Sequence, residues 1–302
     1  MHAAGGTVRK ALRAIGLHSV SRHDSDLLST VKRELFPPGG ELSSSYVPER
    51  TLGHDGFSMN HDQQIALLES FGDERFQHLF RRLRQNEGIN SGFDGTDYKA
   101  RNLIHNGFFP TPDAEAYASM IMKFLPEQII EIGSGYSTLI AKTTVDHVGM
   151  SCKIRVIDPQ PRRSVESVAD EVEYKRVEES ALSRGCVAPG SILFIDSSHV
   201  CRRGGDIPFL YCNLLPNLSP GVLVHVHDIF TPYDYPDAYV GRFYVEQYLL
   251  NALLANSEKF EVVLSTHYLS RCHAGLMQKV FGPEVGRDSL FFGASFWMLV
   301  KS

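Results

Sequence analysis

Two short apolar runs end in side chains able to move a proton or hold a cation. Ser191-Ile-Leu-Phe-Ile-Asp196 runs on into Ser-Ser-His199, and Gly221-Val-Leu-Val-His-Val-His-Asp228 brings His227 and Asp228 to its end. An imidazole titrates near neutral pH and suits a general base, while a neighbouring carboxylate can orient it or take a metal ion. These residue types therefore offer His227 or His199 as a base, with Asp228 orienting it. Asp228 could alternatively hold a divalent metal ion. His225 shares the face of His227 by strand alternation but lies deeper, and is expected to be a hydrogen-bonded core histidine.

A second feature is the run Gln128-Ile-Ile-Glu-Ile-Gly-Ser-Gly-Tyr-Ser-Thr138. Its β-branched residues suit a buried parallel strand, and Gly133 and Gly135 let the chain turn sharply and admit a ligand where a Cβ would stand. The helix expected behind the turn directs unpaired N–H groups at the same crevice. A dinucleotide fingerprint wants a third glycine where Ser-Thr stands, and Glu131 would repel a diphosphate. S-adenosylmethionine carries an ammonium and a sulfonium but no phosphate, and it fits this charge pattern better than NAD. Glu131, Gly133, Ser134, Gly135, Ser137, Asp158 and Asp196 are the expected cofactor-binding residues. Asp158 ends the run Lys153-Ile-Arg-Val-Ile-Asp and stands 25 residues after Gly133, close to the roughly 20-residue spacing of a ribose-binding carboxylate. Glu178, Glu179 and Ser180 are weaker candidates at the adenine end.

These groups need a sheet to bring them together. Strands are expected near 128–132, 153–158, 171–177, 191–196, 221–230, 260–266 and 295–300, and in an open parallel sheet the crevice lies outside the carboxyl ends of the strands. Between them, 204–215 and 244–254 carry helical periodicity, and Thr111-Pro-Asp113 reads as a cap and first turn of a helix over 111–122. Residues 267–289 form an insertion before the last strand, read either as a cover for the acceptor site or as an elaborated loop. The first hundred residues read as a helical, loop-rich extension. It holds a basic segment over 1–23, loops at 37–45 and 88–95, and helices at 62–71 and 76–83.

Glu131-Ile-Gly-Ser-Gly135, with acids at Asp158 and Asp196, resembles the class I S-adenosylmethionine-dependent methyltransferases. The segments Glu-Ile-Gly-Ser-Gly-Tyr-Ser-Thr, Phe-Ile-Asp-Ser-Ser-His and His-Val-His-Asp-Ile-Phe-Thr-Pro-Tyr-Asp-Tyr-Pro are similar in particular to a bacterial methyltransferase subgroup. The resemblance implies an α/β, Rossmann-like, doubly wound and mostly parallel seven-stranded sheet of order 3-2-1-4-5-7-6. The methyltransferase domain would span 101–302, with residues 1–100 as the extension. It further implies that the segment before the first strand helps form the acceptor pocket, with Asn106, Phe108 and Phe109 as lining. Some sugar and antibiotic O-methyltransferases set a carboxylate after strand four and an Asp-Asp pair after strand five around magnesium. Asp196 and Asp228 match two of those positions, and His227 replaces the third. Imidazole suits borderline metals better than magnesium.

The sulfonium already activates the methyl group, so alignment of an acceptor and removal of its proton are what remain for the protein. The expected activity is O-methylation of a small molecule or saccharide. Alternatives are a nicotinamide oxidoreductase on the same sheet, or a noncatalytic protein keeping the fold; no Gly-x-Ser-x-Gly elbow favours a hydrolase. A chain of 302 residues, 43% hydrophobic, can bury a large core, and a net charge of −5 gives no footprint for nucleic acid. Five cysteines without metal or disulfide spacing suit a reducing, cytoplasmic setting, and no apolar run reaches membrane-spanning length.

Overall fold

The computed structural model describes residues 56–85, 102–161, 164–180, 182, 187–236, 239, 242–286 and 292–301. The basic segment over 1–23 and the loops at 37–45 and 88–95 lie outside the described residues. Seven strands form one sheet: β1 Gln128–Ile132, β2 Lys153–Ile157, β3 Glu171–Glu173, β4 Ile192–Ile195, β5 Leu223–Val226, β6 Phe260–Ser265 and β7 Phe296–Val300. Their order is β3-β2-β1-β4-β5-β7-β6. The first five are parallel, and β7 runs antiparallel to both β5 and β6. Order and direction are as the resemblance implies.

The strands are apolar on both faces because both faces are covered. Ile129, Ile154, Val156, Phe194 and Trp297 belong to one buried cluster, and Ile130, Ile132, Ile157, Leu193, Ile195, Val224 and Phe296 to another. Each such side chain contributes about 1.5–3 kcal/mol on burial, so the central strands anchor the fold. Beyond the strand tips the ladder continues: Gly133 N–H donates to Ile157 O at 3.0 Å, Asp196 N–H to Ile132 O at 2.9 Å and His227 N–H to Ile195 O at 2.9 Å. Gly133, Asp196 and His227 are thereby set side by side on one edge.

Helices α1 His61–Ser70 and α2 Glu74–Gln85 fall where periodicity predicts them and place Leu68, Phe71, Phe76 and Phe80 in the cluster that holds Tyr117 and Trp297. Helix α3 runs Asp113–Phe124, two residues later than expected, with Pro112 at the cap position and no side-chain capping bond. Thr111 is therefore not the cap; the Thr111–Pro112 bond is cis. Helix α4 Tyr136–Val148 follows the glycine turn, α5 begins at Asp206 and passes through a wider and then a tighter turn to Asn217, and α6 spans Glu246–Ala255. The insertion after β6 is helical: α7 Thr266–Cys272 and α8 Ala274–Phe281, whose Met277, Val280 and Phe281 are buried. A compact unit comprises Thr51–Asp234 and Tyr244–Ser302. In the segment Tyr235–Phe243, Tyr235 and Tyr239 stack with ring centres 6.1 Å apart, and the Arg242 guanidinium lies 4.0 Å over the Tyr239 ring. Among the described residues no helix is long and apolar enough to cross a membrane.

Candidate functional site

The glycine turn is built against the neighbouring strand tip. Gly133 has φ of 89°, and a Cβ there would lie 2.0 Å from the Asp196 carbonyl oxygen. Only glycine lets β1 and the end of β4 approach so closely. Gly135 differs: a Cβ there would meet nothing within 4 Å, so that side of the turn faces open space. Ser134 Oγ donates to Asp158 Oδ2 at 2.7 Å and Gln160 N–H to Asp158 Oδ1 at 2.9 Å, which fixes the half-buried Asp158 beside the turn. Beyond β3, the buried Glu178 Oε2 has no hydrogen-bond partner among the described residues and can accept one from a ligand.

Glu131 is fully buried, and its carboxylate faces protein hydroxyls. Tyr117 donates to Oε1 at 2.9 Å, Ser137 to Oε2 at 3.4 Å, and Thr138 also to Oε2. Burial pushes its pKa up to about 7, with the three hydroxyls opposing that rise. The direct grip on an ammonium group expected of Glu131 does not match this arrangement, since both oxygens brace β1 against α3 and the start of α4.

At the tips of β4 and β5, four carboxyl groups surround two imidazoles. His199 Nδ1 bonds Glu246 Oε2 at 2.7 Å, and its Nε2 bonds Asp196 Oδ1 at 3.1 Å. With both nitrogens engaged and 2% exposure, His199 has no lone pair for an acceptor. His227 is the other expected base. His227 Nε2 meets Asp113 Oδ2 at 3.2 Å, while its Nδ1 looks toward Asp196 Oδ1 at 3.7 Å and Asp228 Oδ1 at 3.9 Å. The orienting partner of His227 is thus Asp113, at hydrogen-bond distance, rather than Asp228. Asp113 is fixed in turn by the Thr266 hydroxyl at 2.6 Å and the N–H groups of Ala294 and Ser295.

Burial disfavours the charged form of both histidines, yet the carboxylates outweigh it. His199 is raised well above the ordinary range by Asp196 and Glu246, and His227 by Asp113 and Asp196. Asp196 is opposed by burial but held low by the two histidines, and its side chain keeps 34% exposure. His199 and Asp228 both hold left-handed backbone, with φ of 59° and 58°, a strain common at functional positions. Asp196, His227 and Asp228 present one ligand atom each within 4.8 Å of one another. That set, one imidazole nitrogen and two carboxylate oxygens, fits a borderline divalent cation.

His225 is where alternation places it: fully buried, bonded through Nε2 to Ser295 Oγ at 2.8 Å and stacked on Trp297 at 3.9 Å. Phe109 is buried 4.8 Å from the His227 ring, while Phe108 is half exposed and stacked near Tyr136. Asn106 braces that loop, accepting from Phe108 and Phe109 N–H and donating to Leu103 and Phe109 carbonyls. Asp113 and Glu246 escaped the sequence reading because each sits in a helix far along the chain from its histidine. A glutamate amid the apolar residues of 244–254 was the one local signal.

No family model matches the chain. A protein of Archaeoglobus fulgidus described as uncharacterized is 27% identical over 187 residues, which cover 52% of this chain and 80% of that protein. Among solved structures, an SAH-bound methyltransferase of Podospora anserina aligns at TM-score 0.40 and 11% identity over 94% of this chain and 98% of its own. An O-methyltransferase of Bacillus cereus in complex with SAH aligns at 0.37 and 14% identity over 76% and 91%. CmcI with Mg and SAM aligns at 0.40 and 14% identity over 71% and 83%. Strand order and direction, five parallel strands closed by an antiparallel pair in the order 3-2-1-4-5-7-6, give this chain the fold of the class I S-adenosylmethionine-dependent methyltransferases.

Proposed function

We propose that this protein is an S-adenosylmethionine-dependent methyltransferase acting on a hydroxyl of a small molecule or saccharide. The observation that carries the reading is the contact of Gly133 with the Asp196 backbone. It brings the glycine turn, open on its Gly135 side, against the β4 tip whose Asp196 faces His227, which supports transfer between adjacent ligands. The open space at Gly135 and the unpartnered Glu178 Oε2 suit a nucleoside-bearing donor, with Asp158 as the receiver of ribose hydroxyls. Glu131 supports that site by locking the Ser137 and Thr138 hydroxyls at the head of α4.

Asp196, His227 Nδ1 and Asp228 would hold a divalent cation. A bound cation lowers the pKa of a coordinated acceptor hydroxyl and orients it. Without one, His227 would act as base only from its neutral form, with Asp113 on Nε2 and Nδ1 left to receive the acceptor's proton. Phe109 keeps water from one face of that imidazole.

Calorimetric titration of the full chain with S-adenosylmethionine, S-adenosylhomocysteine and NAD tests the cofactor. Binding of the first two and not the third is expected, and preferential NAD binding would replace this reading with the oxidoreductase. Incubation with methyl-labelled donor and a fractionated extract, with and without chelator and added Mn2+ or Mg2+, then tests transfer. The absence of label in every fraction under all these conditions would favour a noncatalytic protein.

A further inference from the structure

Away from this edge, α1 begins beside strand β6 and is fastened to it at two points. Asn60 Nδ2 donates to Val262 O at 2.9 Å, and Gln64 Oε1 accepts from Ser265 N–H at 2.7 Å. His61, the first residue of α1, is exposed. His273 forms the joint between α7 and α8, its N–H on Leu269 O at 2.7 Å and its carbonyl accepting Met277 N–H at 3.0 Å. The two imidazoles meet with their Nε2 atoms 3.3 Å apart and their rings tilted by 46°.

That separation is a hydrogen-bond distance, and it also matches the bite of two ligands on one ion. Two nitrogens each at about 2.0–2.1 Å from a tetrahedral zinc lie roughly 3.3–3.4 Å apart. The His61 ring is also anchored from behind: Nδ1 and the Tyr268 hydroxyl are 2.8 Å apart. A partner on the far nitrogen is the usual support of a metal-binding imidazole. Both backbones are held by the bonds above, so ordering costs little on binding, and an exposed position lets water complete the shell. Imidazole pairs without a carboxylate select zinc-like cations over magnesium or calcium.

We propose that His61 and His273 form a two-histidine site for zinc, which ties the start of α1 to the α7–α8 joint. Its ligand set shares no residue with Asp196, His227 and Asp228. It stands whether or not the methyltransferase reading does.

The test is zinc titration of the full chain, followed by calorimetry and by the zinc-dependent rise in melting temperature. Wild type is expected to bind one equivalent that H61Q and H273Q each lose, along with the melting-temperature rise assigned to it. Y268F should weaken that equivalent by about tenfold, the lower end of the usual effect of a supporting partner. Melting temperatures measured without zinc confirm that the variants fold. If H61Q and H273Q bind as many zinc equivalents as wild type with unchanged affinity, or wild type binds none, the proposal is overturned.

Discussion

Asp113→Asn is the perturbation that bears most directly on the site. On one side of the Asp113 carboxylate, Oδ1 accepts from the Thr266 hydroxyl at 2.6 Å, Ser295 N–H at 3.1 Å and Ala294 N–H at 3.2 Å. On the other, Oδ2 takes His227 Nε2 at 3.2 Å and Ala294 N–H at 2.9 Å. An asparagine keeps its oxygen where three donors converge, which turns its NH2 toward His227. The imidazole must then accept at Nε2 and carry its proton on Nδ1, facing Asp196 and Asp228. In that tautomer it can neither take a proton nor ligate a cation. Loss of a hydrogen bond to a charged group costs about 1.5–3 kcal/mol, which corresponds to roughly 10- to 100-fold in rate or metal affinity, the usual range for such a partner. Imidazole 15N NMR reads the His227 tautomer without knowledge of the acceptor, and metal titration and label transfer supply the magnitudes. A folded D113N protein with the wild-type His227 tautomer, metal affinity and rate would refute the reasoning.

Other variants separate fold from binding. Gly133→Ala should destabilise by more than about 3 kcal/mol, since the new Cβ collides with the Asp196 carbonyl at a left-handed residue; Gly135→Ala meets no such atom and should instead weaken S-adenosylmethionine, read by calorimetry, with a smaller loss in melting temperature. Asp158→Ala should weaken the same cofactor by about 1.5–3 kcal/mol while leaving the melting temperature nearly unchanged, because its side chain accepts only from Ser134 and Gln160 among the bonds seen. Burial raises Glu131 from an ordinary 4.5 to about 7, so between those pH values the folded state keeps a proton that the unfolded chain has released, and its contribution to stability is lost as pH rises through the window. Glu131→Gln should therefore gain on wild type by about 3 kcal/mol from pH 4.5 to 7 in denaturant melts, and a constant difference across that range would contradict the assignment.

The fold was legible where local pattern and global role agree. Ile129, Ile130 and Ile132 read as a two-sided buried strand, and each of the three is buried, split between the two core clusters. The strand tips bearing Asp158, Asp196 and His227 were equally plain, because alternation and the turn glycines set them at one edge. What stayed hidden depends on tertiary contact. Asp113 looks like an ordinary first-turn acid of α3, yet its partners are His227, Thr266 and the start of β7, none within a hundred residues in sequence. Glu246 lies within a helix that periodicity assigns to packing, and its charge is spent on His199 and Tyr211. The helices α7 and α8 were not separable from loop by composition, since their buried apolar residues are Leu269, Met277, Val280 and Phe281, with Thr266, His267 and Ser270 buried as polar ones.

The surplus of carboxylates over imidazoles at this edge has a consequence for turnover under the proposed function. Asp113, Asp196, Asp228 and Glu246 cluster around His199 and His227, four carboxyl groups to two imidazoles in a place with little water. Such a field favours a cationic ligand and disfavours an anionic one. S-adenosylmethionine arrives with a sulfonium, and S-adenosylhomocysteine leaves with a neutral thioether, so the attraction that helps load the donor is absent from the product. Replacing Asp228 with Asn removes part of that field without touching the Asp113–His227 bond. The affinity ratio of donor to product should then fall, while the affinity for the product itself changes little. Titration of both ligands into the Asp228→Asn protein measures this, and an unchanged ratio would mean that the acidic edge acts on the acceptor or a metal alone.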